Sequence, residues 1–220
     1  QGIPDLAELI IIERDLTLLE NIKCRYHISQ ISSLKSVETI KRKKERVKFT
    51  CGVSVNNLSL NENDIGDFKT FLKLSPPLRT EEDRESLVRG LNDGIIDVIV
   101  SDHKPEDEES KRLTFAQAAT GASGIETLLP LSLELYHNES VKLETIIRAL
   151  TSNPAKILKI NKGNMSIGND ADFCVVDIEK PWIVKKDELI SKSKNTSIED
   201  KKLQGKVTNT FVKGVELFKL

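Results

Sequence analysis

Between residues 5 and 100 the apolar residues switch repeatedly between a helical and a strand period, and this alternation narrows the possible folds more than any other feature. Leu6, Leu9, Ile10, Ile12, Leu16 and Leu19 recur at helical spacing, with Asp5 near the start of the helix. Residues 25–31 form a short strand, and Ser33 then caps a helix through Leu34, Val37 and Ile40. Residues 49–55 are a second strand, and Asn56-Asn57 at its tip open a long polar loop. Phe71-Leu72-Lys73-Leu74 is a weaker strand that stops at Pro76-Pro77, since a strand interior does not accept proline. A helix over Glu81 to Leu91, stopped by Gly94, leads into an apolar strand from Ile95 to Val100. The pattern predicts an α/β fold with parallel strands joined by right-handed crossovers. Four such units do not close a barrel of eight. Either the sheet is open or the other half of a barrel lies outside this sequence.

The last of these strands runs into Ser101-Asp102-His103-Lys104-Pro105. A carboxylate at the C-terminal tip of a buried parallel strand is where α/β barrels place their chemistry. After residue 110 the character changes. Gly124 to Tyr136, Leu143 to Leu150 and a stretch ending at Leu158 are helical. From Gly163 onward come short strands and turns, at 171–176, 182–184 and 205–214, with turns at Asn169-Asp170 and Lys213-Gly214, which together predict a small β appendage.

Composition excludes several function classes. Net charge is -1 and charged residues make up 30% of the chain, so nothing electrostatic draws it to nucleic acid or an anionic membrane. The basic run Lys41-Arg42-Lys43-Lys44 lies on a helical pattern and reads as a solvated face. Cys24, Cys51 and Cys174 are widely spaced, which predicts reduced thiols in a cytoplasmic protein rather than a disulfide scaffold or a cysteine zinc site. No apolar stretch approaches the ~20 residues that span a bilayer. The chain starts Gln1-Gly2-Ile3-Pro4, so a processed or trimmed product, or a fragment, is expected.

A set of motifs in fixed order carries a family resemblance. Leu74-Ser75-Pro76-Pro77-Leu78-Arg79, Gly94-Ile95-Ile96-Asp97 and Ser101-Asp102-His103-Lys104-Pro105 come first. Residues 121–131 (GASGIETLLPL), 151–155 (TSNPA), 168–172 (GNDAD), 191–196 (SKSKNT) and 203–207 (LQGKV) follow. Over nearly all its length the chain resembles the C-terminal half of a class I dihydroorotase, in the amidohydrolase superfamily. The resemblance implies the second half of a TIM-type (β/α)8 barrel over residues 1–160 and the C-terminal part of a small β-sandwich over 161–220. It implies interconversion of N-carbamoyl-L-aspartate and L-dihydroorotate in pyrimidine biosynthesis, with one or two zinc ions. The family's first half, with its His-x-His pair and bridging ligand, has no counterpart here.

The resemblance also assigns roles. Asp102 falls on the catalytic aspartate, a zinc ligand that takes a proton from metal-activated water and passes it to the leaving nitrogen; a turn aspartate is the plain alternative. His103 would support Asp102 or lie beneath the loop. Gln30 stands where the family has a metal-binding His, and His27, three residues away on a strand, faces the other side and is a packed strand histidine. Asn56 and Asn57 stand where a second metal His is found, and amides bind zinc poorly beside imidazole. Glu106 replaces a substrate-holding His, and Ser75 replaces a substrate-binding Asn. Arg79 could pair a substrate carboxylate, and the backbone from Gly121 to Gly124 could offer N–H groups to an anion. His137 reads as a surface helix cap. The expectation is a dihydroorotase-type cyclic amidohydrolase with weakened or lost catalysis. The alternatives are a non-catalytic scaffold partnering aspartate transcarbamoylase and an amidohydrolase for another cyclic amide. A homo-oligomer, or pairing with the missing N-terminal half, would cover the open barrel edge.

Overall fold

The computed structural model describes residues 2–220. Helix α1 (Asp5–Leu19) buries Ile12, Leu16 and Leu19 while leaving Leu6, Ile10 and Leu18 in solvent. It precedes β1 (His27–Ile31) and α2 (Leu34–Lys44), whose first turn is closed by Ser33 Oγ accepting from the Ser36 N–H at 3.2 Å. Strand β2 (Thr50–Ser54) passes directly into the short helix α3 (Val55–Ser59). Helix α4 (Glu81–Asn92) opens with a reciprocal cap between Thr80 and Asp83, and β3 (Val98–Val100) follows it. The three strands form a parallel sheet in the order β1-β2-β3, with Gly52, Val53 and Ser54 opposite Val98, Ile99 and Val100. Parallel sheets need cover, and Ile31, Val53, Leu16, Ile40, Leu87 and Ile146 supply a buried core around this one. All three strands point their C-terminal ends the same way, gathering Gln30, Ser54 and Asp102 at one end of the sheet.

Several sequence expectations change. The predicted strand over Phe71–Leu74 is a 3₁₀ turn at Thr70–Leu72 followed by an extended loop, because no strand lies beside it: Lys73 N–H turns back on Thr70 O, and Lys73 O accepts from Gly121 N–H. Asn56 and Asn57 do not start a polar loop. They are buried in α3, where Ser54 Oγ caps the Asn56 N–H and Asn56 O accepts from Leu60 N–H. The strand expected from Ile95 begins at Val98, since the N–H groups of Ile95 and Ile96 are both used on Gly90 O at the end of α4. Among the described residues the parallel sheet therefore holds three strands rather than four.

The rest of the chain is helical and then β. Helices α5 (Glu108–Arg112), α6 (Leu128–His137), α7 (Leu143–Leu150) and α8 (Ser152–Leu158) are followed by β4 (Phe173–Ile183), β5 (Lys202–Val212) and β6 (Val215–Lys219). Strands β4, β5 and β6 make an antiparallel sheet in chain order. The segments expected at 171–176 and 182–184 are one continuous strand, β4. Lys213 and Gly214 turn the β5–β6 hairpin with φ of 51° and 78°, the positive pair that a two-residue turn matched to strand twist requires. Within the Thr151–Ala155 motif, Asn153 Nδ2 donates to Asp97 O at 2.8 Å and ties α8 to the start of β3. His137 is not a surface cap: half-buried at the end of α6, its Nε2 lies 3.0 Å from Ile178 O of β4. Among the described residues no helix is long and apolar enough to cross a membrane.

Candidate active site

Asp102 sits just beyond β3 with φ of 47°, a left-handed conformation that few residues other than glycine adopt. Aspartate tolerates it better than most, and such strain concentrates at functional positions. The turn sends the side chain inward, where it is 2% exposed. Two donors meet its Oδ1. Gln30, from β1, donates through Nε2 at 2.9 Å, and the Lys104 ammonium lies 3.1 Å away. Lys104 Nζ also donates to Ser75 O at 2.9 Å. Four residues from three distant stretches of sequence thus converge: Gln30, Ser75, Asp102 and Lys104.

The backbone beneath this cluster is fixed by a second crossing. His103 pairs with Ala122 as a parallel bridge, and Lys104 N–H donates to Ala122 O at 2.9 Å. Gly121, at φ of 143°, makes that approach possible, since a Cβ there would stand 2.6 Å from Lys104 O and 2.7 Å from Lys104 Cβ. Three of the four N–H groups from Gly121 to Gly124 are already used. Gly121 donates to Lys73 O, Ser123 to Asn195 O, and Gly124 to His103 Nδ1 at 3.1 Å. The loop is therefore not the anion cradle expected from its glycines, and His103, with Nδ1 accepting, carries its hydrogen on Nε2.

The remaining expected residues are spread around this centre. Asn56 Oδ1 accepts from Ser197 Oγ at 2.8 Å, and Asn57 Nδ2 donates to Pro77 O at 3.0 Å while its buried Oδ1 has no partner. Arg79 is committed to the protein: Nε donates to Ser32 Oγ at 2.7 Å and a terminal nitrogen to Ile3 O, with Glu8 4.0 Å away. It is a strut between α1 and the tip of β1 rather than a free carboxylate clamp. Glu106 lies apart, on a cleft of about 690 Å³ lined also by Phe71, Lys186 and Ser193. His27 Nδ1 is 2.7 Å from Thr50 Oγ1 across the β1–β2 pair; burial holds its pKa below the ordinary value, with Asp97 opposing and Lys44 adding to the effect. Two organising residues escaped the sequence reading. Buried Asn195 donates to Gly121 O and accepts from Glu106 N–H. Lys111, fully buried, donates to Thr70 O and Ala119 O, and its burial lowers its pKa. Asn195 lay within the 191–196 motif without a role assigned to it, and Lys111 had no signal beyond its place in a polar run.

The amidohydrolase family's sequence profile matches residues 10–217. The chain belongs to the amidohydrolase family. Among curated relatives, the dihydroorotase of Ehrlichia chaffeensis is 42% identical over all of this chain and 49% of the relative. The dihydroorotase of Ehrlichia canis is 44% identical over 97% of this chain and 48% of the relative. Among solved structures, the L-hydantoinase (dihydropyrimidinase) of Arthrobacter aurescens superposes with a TM-score of 0.93 at 27% identity, covering 98% of this chain and 49% of that one. This amidohydrolase chain spans about half the length of the curated relatives it matches.

Amidohydrolases are generally metal-dependent, and the residues here do not fit a metal ion. Among the described residues no three His, Cys, Asp or Glu side chains come together as a ligand group. The positions that would supply imidazole hold amides, and these are occupied: Gln30 gives its hydrogen to Asp102, and Asn56 takes one from Ser197. Asp102 Oδ1 accepts a hydrogen bond from Gln30 and lies 3.1 Å from the Lys104 ammonium, so a cation from the chain already stands at this oxygen.

Proposed function

We propose that this chain is the C-terminal portion of a dihydroorotase-type cyclic amidohydrolase. Residues 1–160 would contribute strands to a (β/α)8 barrel and 161–220 a share of a β-sandwich. Its substrates would be N-carbamoyl-L-aspartate and L-dihydroorotate, its setting cytoplasmic pyrimidine biosynthesis, and its catalysis weakened or lost. The single observation that carries the reading is Asp102, a buried carboxylate held in left-handed backbone at the tip of a parallel strand. Closing the dihydroorotate ring joins an amide nitrogen to a carboxyl carbon and releases water, so a fixed carboxylate must accept and return a proton. Both contacts to Asp102 fall on Oδ1, and Oδ2 is the atom left for that transfer.

A second reading has its own support. A carboxylate already neutralised by an ammonium suits a barrel kept for binding, with aspartate transcarbamoylase as the partner. The test is dihydroorotate formation from N-carbamoyl-L-aspartate by the complete barrel, beside an Asp102→Ala control. Activity that falls by about 10²- to 10⁴-fold in the control supports the enzyme. No turnover from folded protein sinks it and leaves the scaffold.

A further inference from the structure

We infer that Lys104 is the cation of this site: its ammonium holds the position at Asp102 that a metal ion would take, so this portion of the barrel delivers an internally paired carboxylate in place of a metal ligand. The inference deepens the reading above, since it concerns the same aspartate, but it rests on separate observations. A side chain 2% exposed cannot carry an unmatched charge cheaply. The match is supplied from within the chain, at 3.1 Å, by a residue only two positions on.

The placement of that ammonium is built. The Lys104 backbone is locked to Ala122, its Cβ packs where Gly121 has none, and its far end is held by Ser75 O. The Lys104 side chain is 46% exposed, so it is these contacts rather than burial that hold its ammonium at Asp102. Gln30 completes the arrangement from the other side. At the position where the resemblance places an imidazole nitrogen with a lone pair for a metal, it presents an N–H donor aimed at the same Oδ1. A hydrogen-bond donor and an ammonium gathered at one oxygen oppose the approach of a divalent ion to it. The change from ligand to donor at Gln30 and the ammonium at Lys104 are two halves of one substitution.

A double-mutant cycle on the complete barrel tests this, using Asp102→Asn, Lys104→Met and the pair together, followed by urea unfolding. Pairing predicts that Lys104→Met lowers the folding constant at least about tenfold (~1.4 kcal/mol) more in the parent than in the Asp102→Asn background. Additive effects would overturn the inference. A second measurement does not depend on Lys104→Met folding. Trace acetylation, read by mass spectrometry, should label Lys104 more slowly than Lys180, which is also exposed but has no carboxylate partner among the described residues, and Asp102→Asn should raise the Lys104 rate several-fold. An unchanged rate counts against pairing, as does a Zn(II)-induced rise in Tm that disappears with Asp102→Asn. None of these readouts is turnover. An inactive protein with a coupled pair would refute only the enzyme reading, and an active one with no coupling would refute only this inference.

Discussion

Asp102 and Gly121 define the site from opposite sides of one backbone crossing, and each uses a conformation that its neighbours could not adopt. Gly121→Ala would place a methyl group 2.6 Å from Lys104 O in backbone that already disfavours a side chain. The loop must then retreat from Lys104, costing about 2 kcal/mol or more of stability and loosening the Lys104–Asp102 pair. Chemical denaturation together with the Lys104 acetylation rate would show both effects; a neutral Gly121→Ala would mean that the crossing is not as tight as drawn. At this scale the sequence was partly legible. Asp102, Gln30 and Ser75 stood out as motif positions, and all three lie together. Lys104 passed unnoticed because its role comes from the left-handed turn at Asp102, which brings a residue two positions on back over its carboxylate. The roles of Asn195, a motif residue, and of Lys111 were not legible, since their partners are chiefly backbone groups, and no side-chain pattern encodes such partners.

Elements were legible wherever a period ran long enough to bury one face. α1, α2 and α4 appeared at nearly their observed limits, and Ser33 capped the helix it was expected to cap. The failures share a cause: short apolar runs such as Phe71–Leu74 lack a neighbour to pair with, and local sequence carries no record of neighbours. Pairing between β1 and β2 has a consequence for pH. His27 is held below its ordinary pKa of about 6.5 chiefly by burial, opposed by the Asp97 carboxylate and helped by the Lys44 ammonium. As pH falls through 6.5 the unfolded chain takes up this proton before the folded one does, so stability drops on acidification from that point down to the lowered folded value. Urea midpoints measured between about pH 7.5 and 5.5 should fall less steeply in His27→Gln than in the parent. Identical slopes would remove His27 from the pH response.

For the molecule as a whole, the outstanding fact is how much apolar surface lies outside. Leu6, Ile10 and Leu18 face solvent from α1, and Val215, Leu217 and Phe218 do so from β6. Strands β1 and β3 bound the parallel sheet, each with one side unpaired by any named strand. Apolar patches and open strand edges of this kind mark a surface that another body covers. On the function proposed above the occupant would be the N-terminal half of a barrel; the chain spans about half of the curated relatives it matches and superposes on half of a hydantoinase. The chain by itself should therefore self-associate at micromolar concentration and bind a hydrophobic dye. Adding a separately produced N-terminal half should convert it to a 1:1 complex, visible by sedimentation velocity, with loss of dye binding. Ile10→Glu, on the outer side of α1, should leave the isolated chain folded yet weaken that complex about tenfold or more, since it buries a charge where a side chain should fill an apolar contact. A monodisperse monomer that ignores both the dye and the added half would mean that these faces are simply tolerated in water, and that the half-barrel stands alone.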